Sequence, residues 1–98
     1  MGFASFTVAG ETETIGISGD EGNLLRHRLA DRASELGVEA YQAALKIEKS
    51  ILDGSPVLLD DDEARAVGAV IEQLRDERRL VERLMRLREA LLRQLGEP

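Results

Sequence analysis

Few side chains in this sequence have the type and spacing that catalysis requires. The lone histidine, His27, precedes Asp31 by one helical turn, which is a spacing that allows a histidine–carboxylate contact. A hydrolytic triad also needs a nucleophile in a pocket and oxyanion donors, and the sequence indicates neither. The absence of cysteine excludes disulfides, thiolate metal sites and a cysteine nucleophile. We therefore predict that the protein is not an enzyme and assign no catalytic residue.

The acidic run at residues 60–63 contains the oxygen ligands that Mg²⁺ and Ca²⁺ prefer. It lacks the alternating ligands and the glycine of a calcium loop. Asp60 and Glu63 have instead the spacing of a capping box, in which two side chains satisfy the free amides at a helix start. We predict a helix that begins after Asp60, and neither a metal site nor a cofactor.

Three glycines, Gly16, Gly19 and Gly22, lie between a predicted strand and a predicted helix, where phosphate-binding loops also occur. A phosphate needs bare backbone amides and a nearby cation. Asp20 and Glu21 supply negative charge instead, and no lysine follows at the required spacing. The segment is interpreted as a turn, with Asn23 capping the next helix.

Residues 1–18 predict a β-hairpin that positions these loops. Segments 3–9 and 12–18 are rich in Phe, Val, Ile and Thr, and they flank Gly10 and Glu11. A two-residue loop with glycine first favours a type II′ turn. The expected register pairs Phe6 with Ile15, Ala4 with Ile17, and Val8 with Glu13.

Residues 24–53 predict a pair of short helices. The first covers residues 24–36 and ends at Gly37, and the second covers residues 39–53 and ends at Gly54. The second helix has a broad apolar face at helical spacing. This face contains Ala40, Tyr41, Ala44, Leu45, Ile47, Ile51 and Leu52.

Residues 60–95 predict one long amphipathic helix with a heptad seam that only Glu77 and Arg88 interrupt. Such a helix spans about 50 Å, whereas a compact chain of this length is only about 32 Å across. An overhanging apolar face favours self-association. The alternative is a turn in the charged gap at residues 75–79, although no glycine or proline lies there. The predicted interface consists of Leu80, Val81, Leu84, Met85, Leu87, Leu91, Leu92 and Leu95.

Composition limits the class of partner. The 98 residues carry a net charge of −6, which disfavours nucleic acid and anionic membranes unless basic groups cluster locally. No apolar run approaches the roughly 18 residues of a membrane span, and the first residues lack a basic signal sequence. We predict a cytoplasmic protein without membrane contact.

Residues 14–53 resemble the ribbon-helix-helix DNA-binding proteins in their order of strand, helix, Gly37 and helix. In that family, outward strand residues of a dimer read bases in the major groove, which would place Thr14, Gly16 and Ser18 there. Residues 1–23 contain no basic side chain, so phosphate contacts would fall to Arg26, Arg28 and Arg32. Residues 33–38 are also similar to the centre of a helix-turn-helix.

The sequence thus predicts a single α+β domain over residues 1–98, mostly helical and self-associating. Its leading function is a non-enzymatic protein–protein interaction module, such as an adaptor, inhibitor or regulator, that forms a homo-oligomer, with a dimer favoured, and binds another protein. The alternative is a DNA-binding transcriptional regulator or antitoxin. A third class is a binder of a small ligand or nucleotide at the dimer interface.

Overall fold

The computed structural model describes residues 2–77 and 82–96, which form two strands and five helices. The strands and helices follow the predicted order of hairpin, helical pair and C-terminal helical region, and the chain is mostly helical. The elements are β1 Phe3–Phe6, β2 Ile15–Ser18, α1 Gly19–Asp31, α2 Ala33–Leu36, α3 Val38–Asp53, α4 Asp61–Asp76 and α5 Glu82–Gln94.

The hairpin has the predicted register but a different turn. Antiparallel β1 and β2 pair Phe6 with Ile15 and Ala4 with Ile17, which places all four side chains in the core. The pairing between the strands ends at Phe6 and Ile15, so the predicted pairing of Val8 with Glu13 is wrong. The amide of Glu11 donates to the carbonyl of Val8 at 3.1 Å. Gly10, at φ 88°, is therefore the second of the two central residues of this turn and not the first, as predicted.

A short segment after α3 completes the sheet. The amide of Val57 donates to the carbonyl of Ser5 at 2.7 Å, and the amide of Thr7 donates to the carbonyl of Val57 at 3.0 Å. This parallel bridge covers the edge of β1 that does not face β2. A two-stranded ribbon is marginal alone. Here it is stabilised by Val57 and by packing against α1, α3 and α5.

Helix α1 begins five residues earlier than predicted. Ser18 caps it, because its hydroxyl accepts from the amide of Glu21 at 3.1 Å while the Glu21 carboxylate accepts from the amide of Ser18 at 2.7 Å. Gly19 and Gly22 thus belong to a capped helix start, whereas Gly16 lies in β2. Asn23 is not the cap; its side chain accepts from Arg26 Nε at 2.8 Å. The first predicted helix is also divided, at Arg32, into α1 and α2.

The single long C-terminal helix is not found. Helix α4 ends at Asp76 and α5 begins at Glu82, and the two helices pack against each other. Residues 78–81 lie outside the described residues. A continuous helix over residues 60–95 would span about 50 Å, whereas the largest dimension of the molecule is 28 Å. The alternative of a turn in the charged gap agrees with the structure, because folding back buries the seam within one chain.

The two residues that interrupt the heptad seam form ion pairs. Arg88 Nε lies 2.9 Å from Glu72 Oε2, across the contact between α4 and α5. Glu77 accepts from Arg28 of α1 at 2.8 Å. Neither interruption therefore leaves an unpaired charge against the core, which is consistent with an intramolecular seam.

Candidate functional site

Three of the six described residues of the predicted C-terminal interface are part of the core. Leu84, Leu87 and Leu91 are at most 1% exposed, so their side chains are not available on the surface. The remaining described members, Met85, Leu92 and Leu95, are half-buried. Leu80 and Val81 lie outside the described residues. The apolar surface expected on this helix is therefore largely occupied by the chain's own helices.

Thr14, Gly16 and Ser18, the residues proposed for base reading, lie in or directly before β2. Thr14 and Gly16 are exposed. The Ser18 hydroxyl, however, is engaged in the capping box of α1 and is not free to contact a base.

The three arginines proposed for phosphate contacts already have partners. Arg26 lies 3.1 Å from Glu48, and Arg32 donates to Gln73 at 2.9 Å and lies 3.6 Å from Glu35. Arg28 donates to Glu77, and this hydrogen bond raises the pKa of Arg28 above its ordinary value. Paired guanidinium groups attract phosphate less strongly than free ones, so these contacts weaken the basic patch that DNA binding requires.

The side chains considered for catalysis are exposed, and two of those considered for metal binding form a helix cap. His27 and Asp31 are both exposed on α1. Asp60 and Glu63 form the predicted capping box, with hydrogen bonds of 2.8 and 2.9 Å. Glu63 is only 2% exposed, and its Oε1 lies 2.6 Å from Lys46 Nζ. Across residues 2–77 and 82–96, no group of three or more acidic or histidine side chains is arranged to hold a metal ion.

The surface depressions of the described residues are open to solvent, and the three largest, of about 320, 440 and 500 Å³, are also the most open. Two smaller depressions lie beside α5. One of about 210 Å³ lies between the β-hairpin loop and Arg83 and Arg86 of α5. Another of about 290 Å³ lies between α4 and α5, beside Gly68 and Leu92. Ligand sites usually have volumes of about 300–1,000 Å³ and bury most of their ligand. Neither depression has the enclosed form of such a site.

The most apolar exposed surface lies on α3. Val38, Tyr41, Leu45 and Leu52 are 60, 50, 47 and 79% exposed, and we call these four residues the α3 stripe. Their spacing of three, four and seven residues places them on one side of the helix. Glu48, whose side chain is 45% exposed, completes a heptad pattern with them. The stripe therefore has the spacing of a helix–helix contact but no partner among the described residues.

The opposite side of α3 anchors this helix in the core. Ala40, Ala43 and Ile47 are fully buried against neighbouring helices, and Ser50 is 1% exposed. The Ser50 hydroxyl accepts from the amide of Ser5 at 3.0 Å, which ties α3 to β1. Because α3 is fixed on its inner side, the backbone that carries the outer stripe is held in place.

Sequence reasoning missed this division of α3 into two apolar sides. It placed Tyr41, Leu45 and Leu52 on the same broad face as Ile47, and it left Val38 outside the helix. The signal was present: Val38, Leu45 and Leu52 are seven residues apart, with Tyr41 and Glu48 at the companion positions. Such a pattern is the usual indication of a helix-pairing seam.

Charged groups border the α3 stripe. Lys46 donates to Glu63 and to the carbonyl of Leu58, another exposed apolar residue. Asp53 lies at the end of the helix, and hydrogen bonds from the Ser55 hydroxyl and amide lower the pKa of Asp53 below its ordinary value. The stripe is thus an apolar strip with a polar rim, which is the usual arrangement of a protein–protein interface.

In the described part of the chain, no helix combines the length and apolar character needed to cross a membrane. Comparisons of this chain with known protein families, with curated protein sequences and with solved structures find no match.

Proposed function

We propose that this protein is a non-enzymatic interaction module that binds another polypeptide through the α3 stripe. The observation that carries the proposal is the exposure of four large apolar side chains along one side of a single helix. Soluble monomers rarely expose contiguous apolar patches of more than a few hundred Å², and larger ones usually mark binding sites. A second apolar helix is the natural complement of such a strip.

The attachment of α3 to the rest of the fold supports this role. Its inner residues are buried, its Lys46 is tied to Glu63 of α4, and its Ser50 is tied to β1. A helix that is already ordered loses little conformational entropy when a partner binds. The stripe is therefore preorganised for docking.

The proposal keeps the leading function predicted from the sequence but moves its surface. The expected contact lay on the last helix, whose leucines are used in the core. The α3 stripe supplies the exposed apolar side chains that the interaction module needs, and the polar rim limits non-specific aggregation.

A capture experiment with matched variants tests the proposal. Tagged wild-type protein, Leu45→Glu and Leu52→Glu are used as baits in a lysate of the source organism, and retained proteins are quantified by mass spectrometry. Phe3→Glu is the control, because Phe3 is 60% exposed but lies on β1, outside the α3 stripe. Circular dichroism verifies that each bait is folded.

We expect the wild type and Phe3→Glu to retain a common set of proteins, which can include untagged copies of this chain. Both α3 variants should retain at least tenfold less of each of these proteins. A tenfold loss corresponds to about 1.4 kcal/mol of binding free energy. Equal retention by all four baits would show that the α3 stripe is not the docking surface.

A further inference from the structure

We infer that the partner of the α3 stripe is the α3 stripe of a second copy, packed antiparallel about a two-fold axis through Leu45. The inference rests on the proposed function and names the partner for the same surface. It depends on the symmetric spacing of the aliphatic residues of the stripe and on the charge of Glu48, which lies beside them.

The three aliphatic residues of the stripe are spaced symmetrically about Leu45. Val38 precedes Leu45 by seven residues and Leu52 follows it by seven. A two-fold axis through Leu45 therefore places Val38 against the partner's Leu52, and the reverse contact forms at the other end. Leu45 meets the partner's Leu45 on the axis. Each exposed aliphatic residue of the stripe is thereby covered, as a self-complementary two-fold interface requires.

Glu48 favours the antiparallel direction. In a parallel pair each residue meets its own copy, so Glu48 would face the partner's Glu48 within the seam. Glu48 lies three residues after Leu45, and Tyr41 lies four residues before it. In the antiparallel pair, Glu48 of one copy therefore lies beside Tyr41 of the other, on the same side of the seam. Glu48 lies 3.1 Å from Arg26 of its own chain. A carboxylate has further acceptor sites, so Glu48 can also accept a hydrogen bond from the partner's Tyr41 hydroxyl. Antiparallel helix dipoles add to this preference.

The size of the stripe predicts a weak dimer. From Val38 to Leu52 the helix rises about 21 Å, at about 1.5 Å per residue. Stable interfaces usually bury about 800 Å² on each partner, with roughly 20–30 residues a side. The α3 stripe has only four exposed apolar residues and is therefore smaller than such an interface. We therefore expect a dissociation constant in the micromolar range.

Cysteine crosslinking tests the contact and its direction, because the natural chain contains no cysteine. Leu45→Cys should form a disulfide-linked dimer on mild oxidation, since the two copies of residue 45 meet on the axis. Leu52→Cys alone should remain unlinked, because its two copies lie about 21 Å apart and a disulfide requires Cα atoms within about 7 Å. An equimolar mixture of Val38→Cys and Leu52→Cys should give the mixed dimer.

A parallel pair would give the opposite pattern, in which Val38→Cys and Leu52→Cys each link to themselves. That pattern would overturn the antiparallel arrangement. Failure of all these variants to link at several hundred micromolar protein would overturn the self-pairing itself. Phe3→Cys is the matched control for random collision, because Phe3 is also exposed but lies on β1.

Sedimentation equilibrium gives an independent readout. The mass of the wild-type chain should rise with concentration from 10.8 kDa toward twice that value. Leu45→Glu should stay at the monomer mass with an unchanged circular dichroism spectrum, because the substitution lies on the surface and places two carboxylates on the axis. A wild-type mass of 10.8 kDa at all concentrations would reject self-pairing. In that case, selective loss of a foreign protein by the α3 variants would still support the docking function.

Discussion

Lys46 Nζ of α3 lies 2.6 Å from Oε1 of Glu63, a carboxylate that is only 2% exposed at the start of α4. The same oxygen accepts from the amide of Asp60 in the capping box. One carboxylate thus caps α4 and binds the interaction helix to it. Lys46 directly follows Leu45, so this contact fixes α3 beside the centre of the stripe.

Replacing Lys46 by methionine should lower the free energy of unfolding by about 1–2 kcal/mol. The change leaves a buried carboxylate without its cation, but Lys46 is 42% exposed, so water screens part of the loss below the roughly 3–5 kcal/mol typical of a fully buried pair. Urea denaturation measures the effect. Lys49→Met is the control, since Lys49 is exposed on the same helix and should change stability by less than about 0.5 kcal/mol. Equal losses in both variants would mean that the pair with Glu63 contributes nothing specific.

Two glycine-to-alanine substitutions should have opposite effects on stability. Gly37 separates α2 from α3 at φ 97° and ψ 175°, a conformation that is strained for any residue with a Cβ. Gly37→Ala should cost about 1–3 kcal/mol. A Cβ at Gly68, in the middle of α4, meets no atom of the described residues within 4 Å. Gly68→Ala should therefore stabilise the protein by about 0.5–1 kcal/mol, because alanine favours the helix. Thermal melts of both variants test this pair, and a shift in the same direction would contradict it.

The features that the sequence predicted correctly depend on neighbouring residues. The capping box of Asp60 and Glu63 joins groups three residues apart, and Gly37 ends a helix through its own backbone. The hairpin register followed from the alternation of Ala4, Phe6, Ile15 and Ile17. The Ser18–Glu21 capping box was missed because Ser18 was assigned only to the end of a strand, although it is both the last strand residue and the helix cap.

The sequence did not predict how the C-terminal helices and α3 pack. Their packing depends on which part of the chain, distant in sequence, covers each apolar helix face. The heptad seam of residues 60–95 is compatible with a second chain or with the fold-back of α5 onto α4, since both bury Leu84 and Leu91 against a helix. The heptad seam and the absence of glycine and proline from the charged gap favoured the straight helix, and the gap did not reveal that α4 ends at Asp76. In α3, apolar residues occur on two sides, and periodicity cannot say which side is covered.

Alanine substitutions should distinguish the two sides of α3. Ile47→Ala removes a fully buried side chain and should cost about 2–4 kcal/mol. Leu45→Ala truncates a side chain that is 47% exposed and should cost less than about 1 kcal/mol in the monomer. Both are measured by urea denaturation at low micromolar concentration, where self-pairing contributes little. Similar costs at the two positions would show that Leu45 belongs to the core.

The leucines of α5 should act on folding and not on association. Leu84 is 1% exposed, so Leu84→Glu places an unpaired carboxylate in the core and should unfold the chain. Circular dichroism should show loss of helix, and the protein should aggregate or expand. The matched change Arg83→Glu, at an exposed neighbour, should keep the native spectrum. A folded Leu84→Glu monomer would show that α5 is not required in the core, and that its leucines serve a different surface.

The contribution of the hydrogen bond between β1 and α3 to the free energy of unfolding should be measurable. Ser50 is 1% exposed and its hydroxyl accepts from the Ser5 amide at 3.0 Å. Ser50→Ala removes the acceptor and leaves that amide unsatisfied, which should cost about 1–3 kcal/mol. Ser34→Ala is the control, because Ser34 is exposed on α2 and alanine favours helix, so stability should change by less than about 0.5 kcal/mol. Hydrogen exchange adds a local readout: in Ser50→Ala the Ser5 amide should exchange faster, relative to its β1 neighbours, than in wild type. Unchanged protection at Ser5, together with unchanged stability, would mean that the hairpin is held to α3 by apolar packing alone.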